Sequence, residues 1–222
     1  MLRTIFTAAF ATIALTGGAS AAVLNGYFSV EVVNVTGVNS AASEADIDNF
    51  DDAVSGGGSY DEFTYDGSID FGTTDGSDST TIAMFLDSGT GTVNGLDGTV
   101  GGLQQSKPNI DHGDATTTFF LFTLTDDVGA GSFTVTHDDG IALYEDGSRF
   151  GGFNGPNSVR TETFGGFGGG EFSFLYVATN GDPSILEITG DLAPVPLPAA
   201  LPLLLVGLGG LGFVGRRRKT RA

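Results

Sequence analysis

The chain has 222 residues, with 27 acidic side chains against nine Lys and Arg, and no cysteine. All the acids but only Lys107, Arg149 and Arg160 lie between residues 22 and 194, a stretch of formal charge −24. That surface excludes nucleic acid and anionic lipid as partners, because both are held by Lys and Arg contacts.

The chain opens as a secretory signal peptide. Met1-Leu2-Arg3 supplies the positive start and Thr4 to Leu15 is apolar or hydroxylated. Ala19-Ser20-Ala21 is the small-residue pattern that a signal peptidase needs. The apolar run is too short to span a bilayer comfortably, so cleavage after Ala21 is expected. The expected organisation is then a signal peptide (1–21), an acidic domain (22–190) and a tail (191–222). Without disulfides the exported domain must be held by its core, by bound ions, or by both. Its abundant Phe and Gly, with no Trp, suit many short strands joined by tight turns.

Period-two alternation recurs through residues 22–190 and helical periodicity is scarce. Tyr27 to Thr36 reads as a strand, and Ser40 to Phe50 as a short helix entered through Ser40 or Ser43. Glu62–Tyr65 and Ser68–Phe71 read as a hairpin about Asp66-Gly67. Thr80 to Leu86 is a continuous apolar run, strand or short helix, with helix favoured. Thr116 to Thr125 alternates through Phe120, Phe122 and Leu124, and Asp126 to Gly131 turns the chain back. Gly131 to His137 then places Phe133 and Val135 inward. Ile141–Tyr144 resumes after Asp138-Asp139-Gly140, and Glu145–Ser148 is a hairpin turn before Arg149-Phe150. A Gly/Asn/Pro loop covers Gly151–Asn157, and two strands, Ser158–Phe164 and Glu171–Thr179, flank a glycine-rich connection. Asn180–Pro183 is a turn and Ile185–Thr189 the last strand. Short strands at such spacings predict a mainly β fold, an antiparallel β-sandwich.

The block Phe133-Thr-Val-Thr-His-Asp-Asp-Gly-Ile-Ala-Leu-Tyr-Glu-Asp-Gly147 resembles the central part of PA14 domains, and Glu171 to Ile188 resembles that family's closing hairpin. The resemblance implies a sandwich of jelly-roll type, as in sugar-binding adhesins, glycosidases and toxins. In the adhesin branch the two acids of this block are joined by a cis peptide and ligate one Ca²⁺, which holds a sugar's hydroxyls. By position these are Asp138 and Asp139. Adjacent side chains on a strand normally point to opposite sides, and a cis bond would bring both carboxylates to one side. The plain alternative is a bulge or turn bearing two solvated acids. Asn154 and Asn157 of one loop, and Asn180 and Asp182 of another, are candidates to approach the same end. No calcium-repeat period is present.

No catalytic residue is assigned. His137, on the inward parity of its strand, reads as a hydrogen-bonded histidine at the core's edge, and His112 as exposed loop. Activated nucleophiles are nearly absent, and with so many acids chance carboxylate pairs give a glycan hydrolase little support.

Val195 to Gly215 runs 21 residues without a charge and ends in Arg216-Arg217-Arg218-Lys219. At about 1.5 Å per residue this is just enough helix to cross a hydrocarbon core, with the basic cluster retained on the cytoplasmic side. Val195-Pro196-Leu197-Pro198-Ala199, the apolar helix and the Arg run resemble the PEP-CTERM sorting tail of Gram-negative bacteria in its VPLPA variant; the plain alternative is a tail anchor. The resemblance implies inner-membrane anchoring in transit, processing by an exosortase-type enzyme, and release to the cell surface or matrix. The expected function is a non-enzymatic, calcium-assisted carbohydrate-binding surface protein, with exopolysaccharide as a candidate partner. The alternative is a structural matrix protein with no specific ligand.

Overall fold

The computed structural model describes residues 21–36, 41–73, 80–97, 116–179, 181 and 183–192. The signal segment through Ser20, His112, Asn180, Asp182 and the sorting tail lie outside the described residues. Among the described residues no helix is long and apolar enough to cross a membrane.

Two antiparallel sheets face each other. One joins β1 (Ala22–Val23), β12 (Ile185–Leu192), β7 (Gly131–Asp138) and β10 (Arg160–Phe167) in that order, with β4 (Asp70–Gly72) also on β12. The other runs β5 (Thr92–Asn94), β3 (Ser59–Ser68), β2 (Asn25–Thr36), β6 (Thr116–Leu124), β11 (Phe172–Ala178), β8 (Ile141–Glu145) and β9 (Ser148–Phe153). The mainly β, antiparallel sandwich expected from the alternation is present. Alternate residues make the core between the sheets: Phe28 and Val30 of β2, Phe120 and Phe122 of β6, Phe133 and Val135 of β7, Leu186 and Ile188 of β12. Phe122 stacks on Phe174 at 4.8 Å and meets Phe28 edge-on at 6.0 Å.

The other face of the larger sheet is partly covered too. Phe119, Val33 and Val177 pack beneath Phe50 and Ala53 of α1 (Ile47–Ser55). β6 is therefore apolar on both sides, which is why its sequence carries Phe119-Phe120 rather than a clean alternation.

Several local expectations are corrected. The first helix begins at Ile47, with Asp46 as its cap, accepting from the Asp48 N–H at 3.0 Å. Ala41–Ser43 forms a separate 3₁₀ turn in which Ser43 is buried, and Ser40 lies outside the described residues. A short carboxylate at the cap suits the partial positive charge of a helix start. The continuous apolar run does form a helix, α2 (Ile82–Asp87), capped by Thr81.

There is no hairpin at Asp66-Gly67. β3 continues through both residues, which pair with Tyr27 and Gly26 of β2. Gly67 serves close packing instead, since a Cβ there would lie 2.3 Å from the Gly91 Cα. The chain then crosses to the smaller sheet, where β4 pairs with β12. Asp126–Gly131 likewise leads across, not back: β6 and β7 belong to different sheets, as do β11 and β12. Charged and glycine-rich connections mark a reversal in sequence without stating which sheet receives the next strand. Asp146-Gly147 does form the expected tight turn, both at positive φ, joining β8 to β9. β9 then extends through Gly151–Phe153, three residues expected in the loop.

Candidate metal centre

β7 in the smaller sheet and β8 in the larger are linked only by Asp139 and Gly140. This crossover is pinned to β11: the Asp139 N–H donates to Val177 O at 3.3 Å, and Val177 N–H to Gly140 O at 2.9 Å. A Cβ on Gly140 would stand 2.3 Å from the Asn154 carbonyl oxygen and 3.1 Å from the Ala45 Cβ. Glycine here lets the 154–157 loop and the segment before α1 close onto the crossover.

The Asp138–Asp139 peptide is cis. Both residues are buried, 5 % and 1 % exposed, and their carboxyl groups are hydrogen-bonded to each other. Asp139 Oδ1 accepts from the Asn157 N–H at 3.0 Å and Oδ2 from the Thr179 N–H at 2.9 Å. Burial pushes the Asp138 carboxyl up to about 7, with the charge and hydrogen bond of Asp139 adding to it and the Val159 N–H opposing. Two carboxyl groups so placed resist losing both protons unless a cation joins them.

Asn157 holds its amide against the same crossover. Its Nδ2 donates to Asp139 O at 2.8 Å and Gly155 O at 3.2 Å, which fixes the orientation of the amide. Its Oδ1 is buried with no donor among the described residues, an uncommon condition for a buried polar atom and one that invites a ligand. Two carboxylates and an orphaned amide oxygen suit a hard cation, and calcium accepts carboxylate, carbonyl and water oxygens in flexible geometry. Among the described residues no group of three or more His, Asp or Glu side chains is gathered to hold a metal ion.

The other sequence-predicted residues divide. Asn157 joins the acid pair. Asn154 does not: its Oδ1 accepts from Arg149 Nη2. His137 is buried beside the pair as a structural group, its Nδ1–H donating to Asp139 O and its Nε2 lying 3.4 Å from Glu162 Oε2. Burial above all holds its pKa below the usual range. Tyr176, which the sequence reading did not single out, donates its hydroxyl to Asp138 O from β11. The parity of Phe172, Phe174 and Tyr176 on one strand face was available as a signal. In the sequence Arg149 shows itself only as the residue after a turn. The remaining described cation, Arg160, stacks over Phe153 at 3.9 Å and pairs with Glu162 at 2.7 Å.

No family model matches the chain, and no curated protein matches it. Among solved structures it is similar to a PA14 sugar-binding domain from an RTX adhesin, with a TM-score of 0.46 and 16 % identity, over 74 % of this chain and 88 % of that one. It is similar to the PA14 domain of the antifreeze protein MpAFP, with a TM-score of 0.43 and 18 % identity over 80 % and 88 %. A GH31 α-xylosidase from Xanthomonas citri gives a TM-score of 0.35 and 10 % identity, over 83 % of this chain but 16 % of that one. These similarities assign no role to any residue here.

Proposed function

We propose that the domain is a calcium-assisted carbohydrate-binding module of an exported protein, with no catalytic activity of its own. The observation that carries the reading is the buried Asp138–Asp139 pair, held by Asn157, whose Oδ1 is buried with no donor among the described residues. Calcium would be held by the two carboxylates with that amide oxygen, and the bound ion would supply open positions for a sugar's vicinal hydroxyls. The protein's own part is to keep the carboxylates together and dry, and to fix the crossover through Val177, Thr179 and Asn157. Asn180 and Asp182 remain candidates for the rest of the shell.

Titration calorimetry with Ca²⁺, followed by a glycan array, tests both halves. Calcium at a hundred times its Kd should stabilise the protein by about 2.7 kcal/mol, several degrees in Tm for a domain of this size. Magnesium at matched ionic strength should do less, because it demands octahedral geometry and keeps its waters. Asp139→Ala should abolish the calcium-specific increment and retain the part due to screening of the acidic surface. Equal shifts from both metals, or an undiminished calcium response in the variant, would sink the reading.

One observation favours a second reading. Both Asp139 carboxylate oxygens already accept backbone N–H groups from two different loops, so the pair can serve as a structural pin in a matrix protein without a specific ligand. A calorimetrically silent calcium titration would put that reading first.

The location belongs to the same proposal: export through the signal segment, anchoring by residues 195–215, then exosortase-type processing near Val195–Ala199 into the surface or exopolysaccharide layer. Replacing Arg216, Arg217 and Arg218 with neutral residues should remove the topological stop and leave unprocessed precursor. Normal C-terminal shortening and normal surface display of that variant would count against the sorting assignment.

A further inference from the structure

Arg149 and Arg160 are the only Lys or Arg among the described residues, and they flank the segment that delivers Asn157. Arg149 reaches along its own stretch of chain and across to the segment ahead of α1. Its Nε donates to Gly151 O at 3.2 Å, its Nη1 to Ala45 O at 3.5 Å, and its Nη2 to Asn154 Oδ1. The Ala45 N–H returns to Asn154 O at 2.8 Å. One guanidinium thus ties the end of β9, the segment ahead of α1 and the first residue of the loop into a single unit. That unit rests against Gly140, where no Cβ fits. Three residues further, past Gly155-Pro156, the same loop presents Asn157 to Asp139 through two hydrogen bonds. Proline fixes its own φ, so the link from Asn154 to Asn157 is short and stiff.

We infer that Arg149 is the positioning residue of the calcium site, acting through Asn154 on Asn157; the inference rests on the calcium reading above. Arg149 is not a ligand, and as a bare charge it would oppose a cation. Its planar fork satisfies acceptors in three directions, which the compact ammonium of lysine does not reproduce. Asn154, a ligand candidate by sequence, becomes part of the brace.

The test follows from the opposed signs of charge and geometry. Arg149→Met, Arg149→Lys and Asn154→Ala are compared with the unaltered full-length protein in calcium calorimetry. Hydrogen exchange at the Asn157 amide is followed in the metal-free protein. Loss of an outer support typically weakens metal binding by about 10- to 100-fold, so all three variants should bind calcium more weakly and exchange that amide faster. Arg149→Met binding as tightly as the unaltered protein, or more tightly, is the behaviour of a simple repelling charge and overturns the inference. Arg149→Lys with unchanged affinity does the same. If the Arg149 variants do not fold, Asn154→Ala, which deletes one acceptor, carries the test alone. Ile188→Val, in the core between the sheets, controls for general destabilisation and should lower Tm without moving the calcium Kd. A protein that takes up no calcium at all removes the metal-site reading and this inference with it. One that binds calcium with variants indistinguishable from it removes the inference alone.

Discussion

The Asp138 carboxyl should cost the metal-free protein about 3 kcal/mol of stability between pH 4 and pH 7, and calcium should restore it. The loss follows from the Asp138 carboxyl, raised by burial and by Asp139 from an ordinary 3.8 to about 7. Between those values the folded protein holds a proton that the unfolded chain has released. Each pH unit there costs about 1.4 kcal/mol, and the loss is complete above the folded-state pKa. The sign is opposite to that of a salt-bridged aspartate, whose lowered pKa adds stability as pH rises toward the unfolded value and nothing further above it. Asp138→Asn removes the titration, so the difference in unfolding free energy between variant and parent should change steeply from pH 4 to 7 and flatten above. Calcium should release one proton on binding below pH 7, with apparent affinity falling about tenfold per unit of acidification. A pH-independent difference between parent and variant would mean that Asp138 ionises normally, and that the pair imposes no demand for a cation.

Phe122→Ala should destabilise the domain by about 3–5 kcal/mol, the usual range for removing a buried aromatic ring. Phe122 is fully buried and lies at the junction of rings from both sheets. Phe174 stacks on it, while Phe28, Phe71 and Tyr65 approach at 6.0, 6.0 and 6.5 Å. Its neighbours sit on rigid strands, so the vacated space has little means of collapse. With no disulfide in the chain, nothing covalent limits the consequence. Chemical denaturation should show a lower midpoint with an unchanged m-value; a loss below about 1 kcal/mol would mean that the core repacks around the gap.

The inward parity of Phe133 and Val135 was legible because a sheet with one buried face writes its period into the sequence. So was the Asp146-Gly147 turn, where the residue types suit positive φ. Which sheet each strand joins was not legible. Asp66-Gly67 has the composition of a hairpin, yet Gly67 is required by the approach of Gly91, a residue far along the chain. The acid pair could be found from sequence because Asp-Asp-Gly is local. Asn157 could be proposed only together with Asn154, since their roles diverge through Arg149, and only the packing of the loop on Arg149, Ala45 and the crossover separates them. Ala45 carries no chemical signature of a site and enters it through topology alone, whereas the strand parity of Tyr176 marks it only as inward-facing.

The register of β7 on β12 gives the molecule two unlike ends. Asp138 stands beside Ile185, where β12 begins, and Gly131 beside Leu192, where it ends. Seven residue steps of strand, about 23 Å, separate the acid pair from the point at which the chain continues toward the tail. β1 pairs with Thr189 and Gly190 near that same exit. Whatever grips the polypeptide beyond Leu192 therefore holds it by the pole remote from Asp138 and Asp139. A tethered molecule would carry the pair outward, as a lantern is carried at the far end of its pole, within reach of whatever lies away from the point of attachment.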